Sequence, residues 1–429
     1  MENKEYPKFT VIIPQKNRAE YIGYTLQTCM AQDYPNFEVV VSDDCSEDDS
    51  VEVINEKIKI DSRIKLFAHT RHLGMRDNFE FALNQVKSGY VIALGGDDGL
   101  VPGAIWKMYR IIKAKNTPLL AWSTAGFTYP DETSEDNIFW VKRKKGKDVR
   151  FIKSKDFFKK LTSTFIYQID ECPMFYMKGV ASIELVNRVK SRTPDGCFYY
   201  CPTPDGFSGV VLAGEVEQFA YTSEPLSIVG NTTKSQGRNY YRNDKTSRKE
   251  AQEFFNDNIR RTMHYQLASQ PYSPLEPLMT ADYLLTAKDL PGWPGEVEPI
   301  DFEHLIRTCF KFIETSPYVK EVLVRELKII REIARQHNLE NLFNELYKCT
   351  KKRVSKSKAI RGFVITHSIR FEGSKIGINN IFEAANAVNF VWNINNSLSW
   401  KEVRLFTKNM FQLLRNRRKY TRERLPEIE

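Results

Sequence analysis

No stretch of the sequence approaches the roughly 18 consecutive apolar residues that cross a bilayer. The opening Met-Glu-Asn-Lys-Glu-Tyr-Pro-Lys lacks the apolar centre of a secretory signal, so the expected location is the cytoplasm. Cysteine is sparse and unpatterned: seven residues, at 29, 45, 172, 197, 201, 309 and 349, with no Cys-x-x-C pair. An odd, scattered set argues against a disulfide framework or a zinc ribbon and fits a reducing compartment. Cys197 and Cys201 have no histidine at ligand spacing and read as buried or idle thiols. The six histidines form no His-Glu-x-x-His pattern, and no Gly-x-Ser-x-Gly elbow supports a serine hydrolase. A Gly-rich, Lys-bearing phosphate loop is missing after the first apolar run, which weighs against a nucleotidyltransferase. No solenoid repeat is present.

What is there is an ordinary globular balance over 429 residues, 41% hydrophobic and 27% charged. That length predicts two or three domains at roughly 100–200 residues each. Charge divides the chain. Residues 1–240 hold 31 Lys/Arg against 31 Asp/Glu, whereas residues 241–429 hold 32 against 23. The whole excess of +9 lies in the second part, which is expected to face something anionic.

From Phe9 to about Leu120, β-branched runs alternate with segments of helical period. Strands are expected at 9–13, 37–41, 64–67 and 90–94, and helices at 19–31, 49–59, 76–86 and 103–114. Such alternation predicts βαβ units, a mostly parallel sheet and helices on both faces. Ligands of such sheets bind beyond the carboxyl ends of the strands. Residues 130–150 read as an exposed loop or hairpin insertion. Mixed α/β character returns at 165–230, with helices at 181–190 and 207–213 and a strand at 216–221. The polar stretch 230–249 reads as a boundary, so a catalytic domain 1–240 and a basic, mainly helical domain 241–429 are expected. Helices are predicted there at 247–269, 275–288, 301–314, 318–337, 339–350 and 398–418.

Three constellations follow the strands. Gly96-Asp97-Asp98 sets two carboxylates in a Gly-flanked loop after the fourth strand. Hard oxygens of this kind hold Mg²⁺ or Mn²⁺, with nucleotide phosphates completing the shell; a solvated acidic turn is the plainer reading. Asp43-Asp44 ends the second strand, where a carboxylate can accept a nucleobase N–H. Helix capping by Ser46 or Asp48 is the competing role for that segment. Arg71-His72-Leu73-Gly74-Met75-Arg76-Asp77-Asn78-Phe79 opens a helix whose N-terminus attracts phosphate. Arg76 there either offsets diphosphate charge or sits in a salt bridge.

In this order the motifs resemble inverting family 2 glycosyltransferases of the GT-A fold. The carriers are Val11-Ile12-Ile13-Pro14-x-x-Asn17, Gln32-x-Tyr34-Pro35-Asn36-Phe37-Glu38-Val39-Val40-Val41-x-Asp43-Asp44-x-Ser46-x-Asp48, Leu73-Gly74-x-x-x-Asn78-Phe79-x-x-Ala82-Leu83 and Gly89-Tyr90-Val91-Ile92-x-x-x-x-Asp97-Asp98-x-x-x-Pro102. The resemblance covers about residues 8–120 and continues more loosely to about 230. It implies that Pro14, Gln15, Asn17 and Asp44 hold the nucleotide, usually uridine, with Asp43 beside them. It also implies that Asp98 ligates the metal on the diphosphate and that Asp97 contacts sugar or ribose. Gly95 departs from the family, which often has an acid there. A catalytic base is implied roughly a hundred residues further on, and Asp205 in Thr203-Pro204-Asp205-Gly206 best matches it. An Asp there can take the acceptor hydroxyl proton; Pro-Asp-Gly is equally an ordinary turn, and Asp195, Asp170 and Glu171 are rivals.

The implied function is transfer of a sugar from a UDP-linked donor, with Mn²⁺ or Mg²⁺, to a hydroxyl of a surface polysaccharide or lipid-linked glycan. A non-catalytic nucleotide-binding scaffold is the alternative. Residues 401–424 carry nine Lys/Arg and two acids beside an apolar face of Val403, Phe406, Met410, Leu413 and Leu414. That pattern fits either a helix on the inner, anionic membrane face or a core-packed terminal helix. The helical part is also open to homo-oligomer contacts. Nucleic acid is not expected, since no aromatic stacking platform accompanies the charge.

Overall fold

The computed structural model describes residues 6–130, 137–142, 149–240, 245–258, 261–315, 318–356 and 368–397. The chain opens with β1 (Phe9–Gln15), α1 (Ala19–Met30), β2 (Phe37–Asp43), α2 (Ser50–Ile60), β3 (Ile64–Ala68), α3 (Met75–Asn84) and β4 (Tyr90–Ala93). These run as the alternation predicts, with β3, β2, β1 and β4 side by side and parallel. Every residue of β1 is buried, as a central parallel strand requires. Side chains alternate between faces, so Val11 and Ile13 pack with Ile22, Leu26 and Ile105 on one side. Ile12 joins Phe79, Ala82 and Leu83 on the other.

Beyond β4 the sheet is mixed rather than mostly parallel. After β5 (Gly99–Leu100), α4 (Ala104–Lys115) and β6 (Leu119–Thr128) come β7 (Ile138–Lys142), β8 (Val149–Lys153), α5 (Ser154–Thr164), β9 (Gly179–Ser182), α6 (Ile183–Lys190), α7 (Asp205–Gly214) and β10 (Gln218–Asn231). β9 inserts antiparallel between β4 and β6, and β10 pairs parallel with β6 but antiparallel with β5 and β8. The expected helix at 181–190 therefore begins later, at Ile183, because Gly179–Ser182 is taken by the sheet. The expected strand 216–221 extends to Asn231, with an irregularity between Thr222 and Ser227 around Pro225. Within 130–150 the described part is no free loop: β7 pairs with β6, and β8 with β10.

The helical part contains α8 (Gln236–Asn239), α9 (Lys245–Asp257), α10 (Glu276–Lys288), α11 (Phe302–Thr315), α12 (Lys320–Gln336) and α13 (Glu340–Lys356). The single helix expected over 247–269 stops at Asp257 and gives way to a bridge between Thr262 and Pro271. α10 is buried along nearly its whole length. Met279, Tyr283 and Leu284 belong to the core of the sheet region, and Leu278, Ala281 and Leu285 to the core of the helices. The two parts are fused through this helix. A further return is not foreseen by a boundary at 240/241: β11 (Ser368–Glu372) pairs with β7, and α14 (Ile381–Ser397) packs on α1 and β10. The expected helix 398–418 and the basic segment 401–424 lie outside the described residues. No helix among the described residues is long and apolar enough to cross a membrane.

Candidate active site

Parallel register puts Gln15 opposite Asp43 and Ile12 opposite Ala93. The turns after β1, β2 and β4 therefore share one edge of the sheet, and the acids singled out in the sequence meet there.

At the β1/β2 end the turns are laced together. The Asp43 carboxylate accepts from Ser46 N (2.9 Å), Ser46 Oγ (2.6 Å) and the Gln15 side-chain amide. Ser46 Oγ accepts from Asn17 N (2.8 Å), and Asn17 Oδ1 from Glu47 N (2.8 Å). Asn17 takes a left-handed backbone, φ 53°, which asparagine tolerates better than most residues. Asp44 accepts Leu73 N at 2.6 Å through Oδ1 and Gly74 N at 3.1 Å through Oδ2, and His72 Nδ1 lies 2.9 Å from Oδ2. An ionised carboxylate offers about four acceptor positions. Each of these acids has filled most of them with protein donors, leaving little for a ligand. Gln15 differs. Its Oε1 is buried at the same edge and has no hydrogen-bond partner among the described residues. Ser46 spends its hydroxyl on Asp43 and Asn17 rather than on capping α2; Asp48 instead accepts Ser50 N (3.1 Å) and, across the turn, Ala19 N (3.2 Å).

At the β4 end Asp97 and Asp98 are both buried. Asp98 Oδ1 accepts Gly230 N (2.9 Å) and Oδ2 accepts Gly95 N (2.8 Å), with a further hydrogen bond from Tyr176. Burial, then the neighbouring Asp97 charge, pushes the Asp98 carboxyl above its usual range. Asp97 Oδ2 accepts Thr232 Oγ1 at 3.0 Å, and the Arg18 guanidinium stands 4.0 Å away. Among the described residues no group of three or more His, Cys, Asp or Glu is arranged to hold a metal. The donors present are two hard carboxylates crowded together with one distant cation. Mg²⁺ and Mn²⁺ suit such a set, because they commonly take one or two carboxylates and draw their remaining ligands from phosphate and water. The residues fit a substrate-bridged divalent ion.

At the third corner Asp205 opens α7. Tyr167 donates to its Oδ2 (3.1 Å), while Oδ1 is shielded from solvent and has no partner among the described residues. Burial raises the carboxyl above its ordinary range, against the pull of Tyr167 and the amides at the start of the helix. A buried carboxylate with a raised pKa is chemically able to take a proton as a general base. The rivals are otherwise engaged. Asp195 pairs with Arg76 at 2.6 Å and accepts Cys197 N, Asp170 pairs with Lys142, and Glu171 with Arg150 and Lys160.

Arg76 stands apart from the phosphate role. It is buried, paired with Asp77 (2.8 Å) and Asp195, and donates to Tyr199 O. One turn on, Glu80 accepts Phe198 N and Tyr199 N and pairs with Lys190 at 2.8 Å. Together these two residues of α3 pin the 195–199 loop that leads to Asp205. Charge already balanced by two carboxylates is a poor partner for a diphosphate.

Sequence reasoning missed Arg18, Thr232, Lys234 and Tyr176. Lys234 Nζ donates to Asn17 O (2.9 Å) and Arg18 to Lys234 O (2.7 Å), so the segment after β10 closes on the turn after β1. Long-range pairing brought it there; the only local signal was a polar, Gly- and Asn-bearing stretch. Tyr176 has its phenol pKa raised by burial and then by the charges of Asp98, Asp97 and Asp205.

Residues 10–167 match the family model described as Glycosyl transferase family 2. The chain carries a family 2 glycosyltransferase domain. A relative in Campylobacter jejuni, named GalNAc(5)-diNAcBac-PP-undecaprenol beta-1,3-glucosyltransferase, is 35% identical over 100 residues, 23% of this chain and 32% of its own. Poly(ribitol-phosphate) beta-N-acetylglucosaminyltransferase TarS of Staphylococcus aureus is 35% identical over 94 residues, 21% of this chain and 16% of its own. The chain thus spans about a third of the first relative's length and about a sixth of the second's. A crystal structure of S. aureus TarS 1–349 in complex with UDP-GlcNAc aligns over 80% of this chain and 92% of that one, with 14% identity and a TM-score of 0.44.

Proposed function

We propose that this glycosyltransferase domain moves a sugar from a nucleoside-diphosphate donor, UDP-linked, to a hydroxyl of a surface polysaccharide or lipid-linked glycan, with inversion. The observation that carries the reading is the buried Asp97–Asp98 pair at the strand-end edge, and Asp205 at the start of α7 is the base assigned to it. The relatives' names, which specify transfer of glucose to an undecaprenol-linked glycan and of N-acetylglucosamine to poly(ribitol phosphate), support the acceptor class.

In this reading Gln15 Oε1 accepts the nucleobase N–H, and the Asp43 and Asp44 networks hold the turns that flank it. Asp97 and Asp98 hold Mg²⁺ or Mn²⁺ against the diphosphate. The ion supplies positive charge where the leaving group gathers negative charge. Asp205 Oδ1 orients the acceptor hydroxyl and takes its proton as that oxygen bonds to the anomeric carbon. The bond from that carbon to the diphosphate oxygen breaks, and a single displacement inverts the centre. Arg18 and Lys234 stand beside the same turn and add positive charge near the phosphates.

The test is UDP release from a panel of UDP-sugars and acceptors, with Mn²⁺ or with EDTA. Chelator-sensitive release that needs an acceptor supports the reading. Activity indifferent to EDTA removes the cation role of Asp97 and Asp98. UDP binding with no transfer favours a scaffold, and pyrophosphate as product favours nucleotidyl transfer.

A further inference from the structure

Gly95, between β4 and the two aspartates, has no room for a side chain. A Cβ built there meets Asp98 Oδ2 and Tyr176 Oη, each at 2.8 Å, and Asp97 Oδ1 at 3.1 Å. Contacts below 3.0 Å are closer than real Cβ atoms come, so the space in front of residue 95 is already filled by three oxygens of the cation end. Two are carboxylate oxygens. The third arrives from residue 176, on the segment before β9, which Met177 N anchors to the sheet by donating to Ala93 O (2.8 Å). Tyr176 is partly exposed, and its ring packs edge-on against Phe79 of α3. A phenol with an ordinary pKa of about 10 is protonated at neutral pH and can donate to only one of its neighbours at a time. Its hydroxyl shares that space with Asp98 Oδ2, and its interaction with Asp98 favours the carboxylate.

We propose that Tyr176 is a positioning residue of the cation–diphosphate site: its hydroxyl fills the space that a side chain at position 95 would take and fixes Asp98 for the ion. The proposal rests on the glycosyltransferase reading above and sharpens one part of it. With Gly95 N on Oδ2, Gly230 N on Oδ1 and the Tyr176 hydroxyl packed beside them, the Asp98 carboxylate cannot rotate without losing a donor. That rigidity sets which lobe it presents to a metal, much as outer hydrogen bonds orient ligands at other metal sites. The residue acts through Asp98 and not on the reacting atoms.

The test uses Mn²⁺ binding to the UDP-loaded full chain, read by calorimetry or by electron paramagnetic resonance. Tyr176→Phe keeps the ring and removes the hydroxyl, and Mn²⁺ affinity is expected to fall roughly tenfold or more, as for loss of a hydrogen bond to a charged group. UDP affinity in the absence of Mn²⁺ stays near that of the parent. Affinity of Tyr176→Phe within twofold of the parent, at unchanged thermal stability, would overturn the proposal. If that variant does not fold, Gly95→Ala decides: its methyl presses on the same oxygens, and an unchanged Mn²⁺ affinity would overturn the proposal too. Asp98→Asn is the control that separates the two readings. Mn²⁺ binding that survives Asp98→Asn sinks the cation site itself, whereas loss in Asp98→Asn with none in Tyr176→Phe sinks only the role of Tyr176.

Discussion

The sheet edge uses aspartate in two opposite ways. At the β1/β2 end, Asp43 and Asp44 are saturated by donors from neighbouring turns, and their carboxylates act as struts. At the β4/α7 end, Asp98 and Asp205 are held where burial disfavours their charge. One type ties neighbouring turns together; the other is held at a cost that a cation or a substrate proton relieves. The same residue type in similar acidic motifs therefore does different work at the two ends, and at the second it is burial and, for Asp98, the charge of Asp97 that set it apart.

The largest break in this comparison is expected at Asp205. Asp205→Asn should lower kcat by roughly 10²–10⁴-fold while UDP binding persists, checked by turnover and calorimetry. Its stability should move the other way. A carboxyl whose folded pKa is raised favours the folded state below its unfolded pKa of about 3.9, and that contribution is lost as pH rises through the folded pKa. Asp205→Asn is therefore expected to melt higher than the parent at neutral pH, with the gap closing as pH falls toward 4; the raised pKa also places the acid limb of the kcat profile above the usual Asp range.

Next comes Asp98→Asn, expected to lose at least tenfold in Mn²⁺ affinity in the presence of UDP and to gain thermal stability at neutral pH for the same reason. Asp44→Ala should do the reverse. It strands the Leu73 and Gly74 amides, one of them at a buried position, and is expected to cost about 1–3 kcal/mol in denaturant unfolding. A stabilising Asp44→Ala, or a destabilising Asp98→Asn, would erase the distinction between the two ends. The smallest effect on turnover is expected at Arg76. The guanidinium is buried and also donates to Tyr199 O, so Arg76→Met should cost about 1–3 kcal/mol of stability. KM for the nucleotide sugar should shift by less than about twofold, since the guanidinium braces the 195–199 loop rather than a phosphate.

Much of this was legible beforehand in β1–β4, where period-2 runs, turn residues and intervening helical periods agree and contacts are local. The placement of Asp43, Asp44, Asp97 and Asp98 at one edge follows from that alternation alone. The rest depended on contacts distant in sequence. β9 is four residues long and lodges between β4 and β6, so no periodicity announces it. β11 and α14 return to the sheet from over two hundred residues away, which no reading of a polar boundary at 230–249 conveys. Arg76 stayed open between a diphosphate contact and a salt bridge because its partner Asp195 lies 119 positions on. Tyr176 carried no motif at all; only the crowding around Gly95 singles it out.

The most direct measurement is anomalous diffraction from crystals grown with UDP and Mn²⁺. The account predicts one manganese peak bonded to the Asp97–Asp98 pair and to diphosphate oxygens, with uracil against Gln15. A diphosphate bound elsewhere, or a peak away from both aspartates, would contradict it.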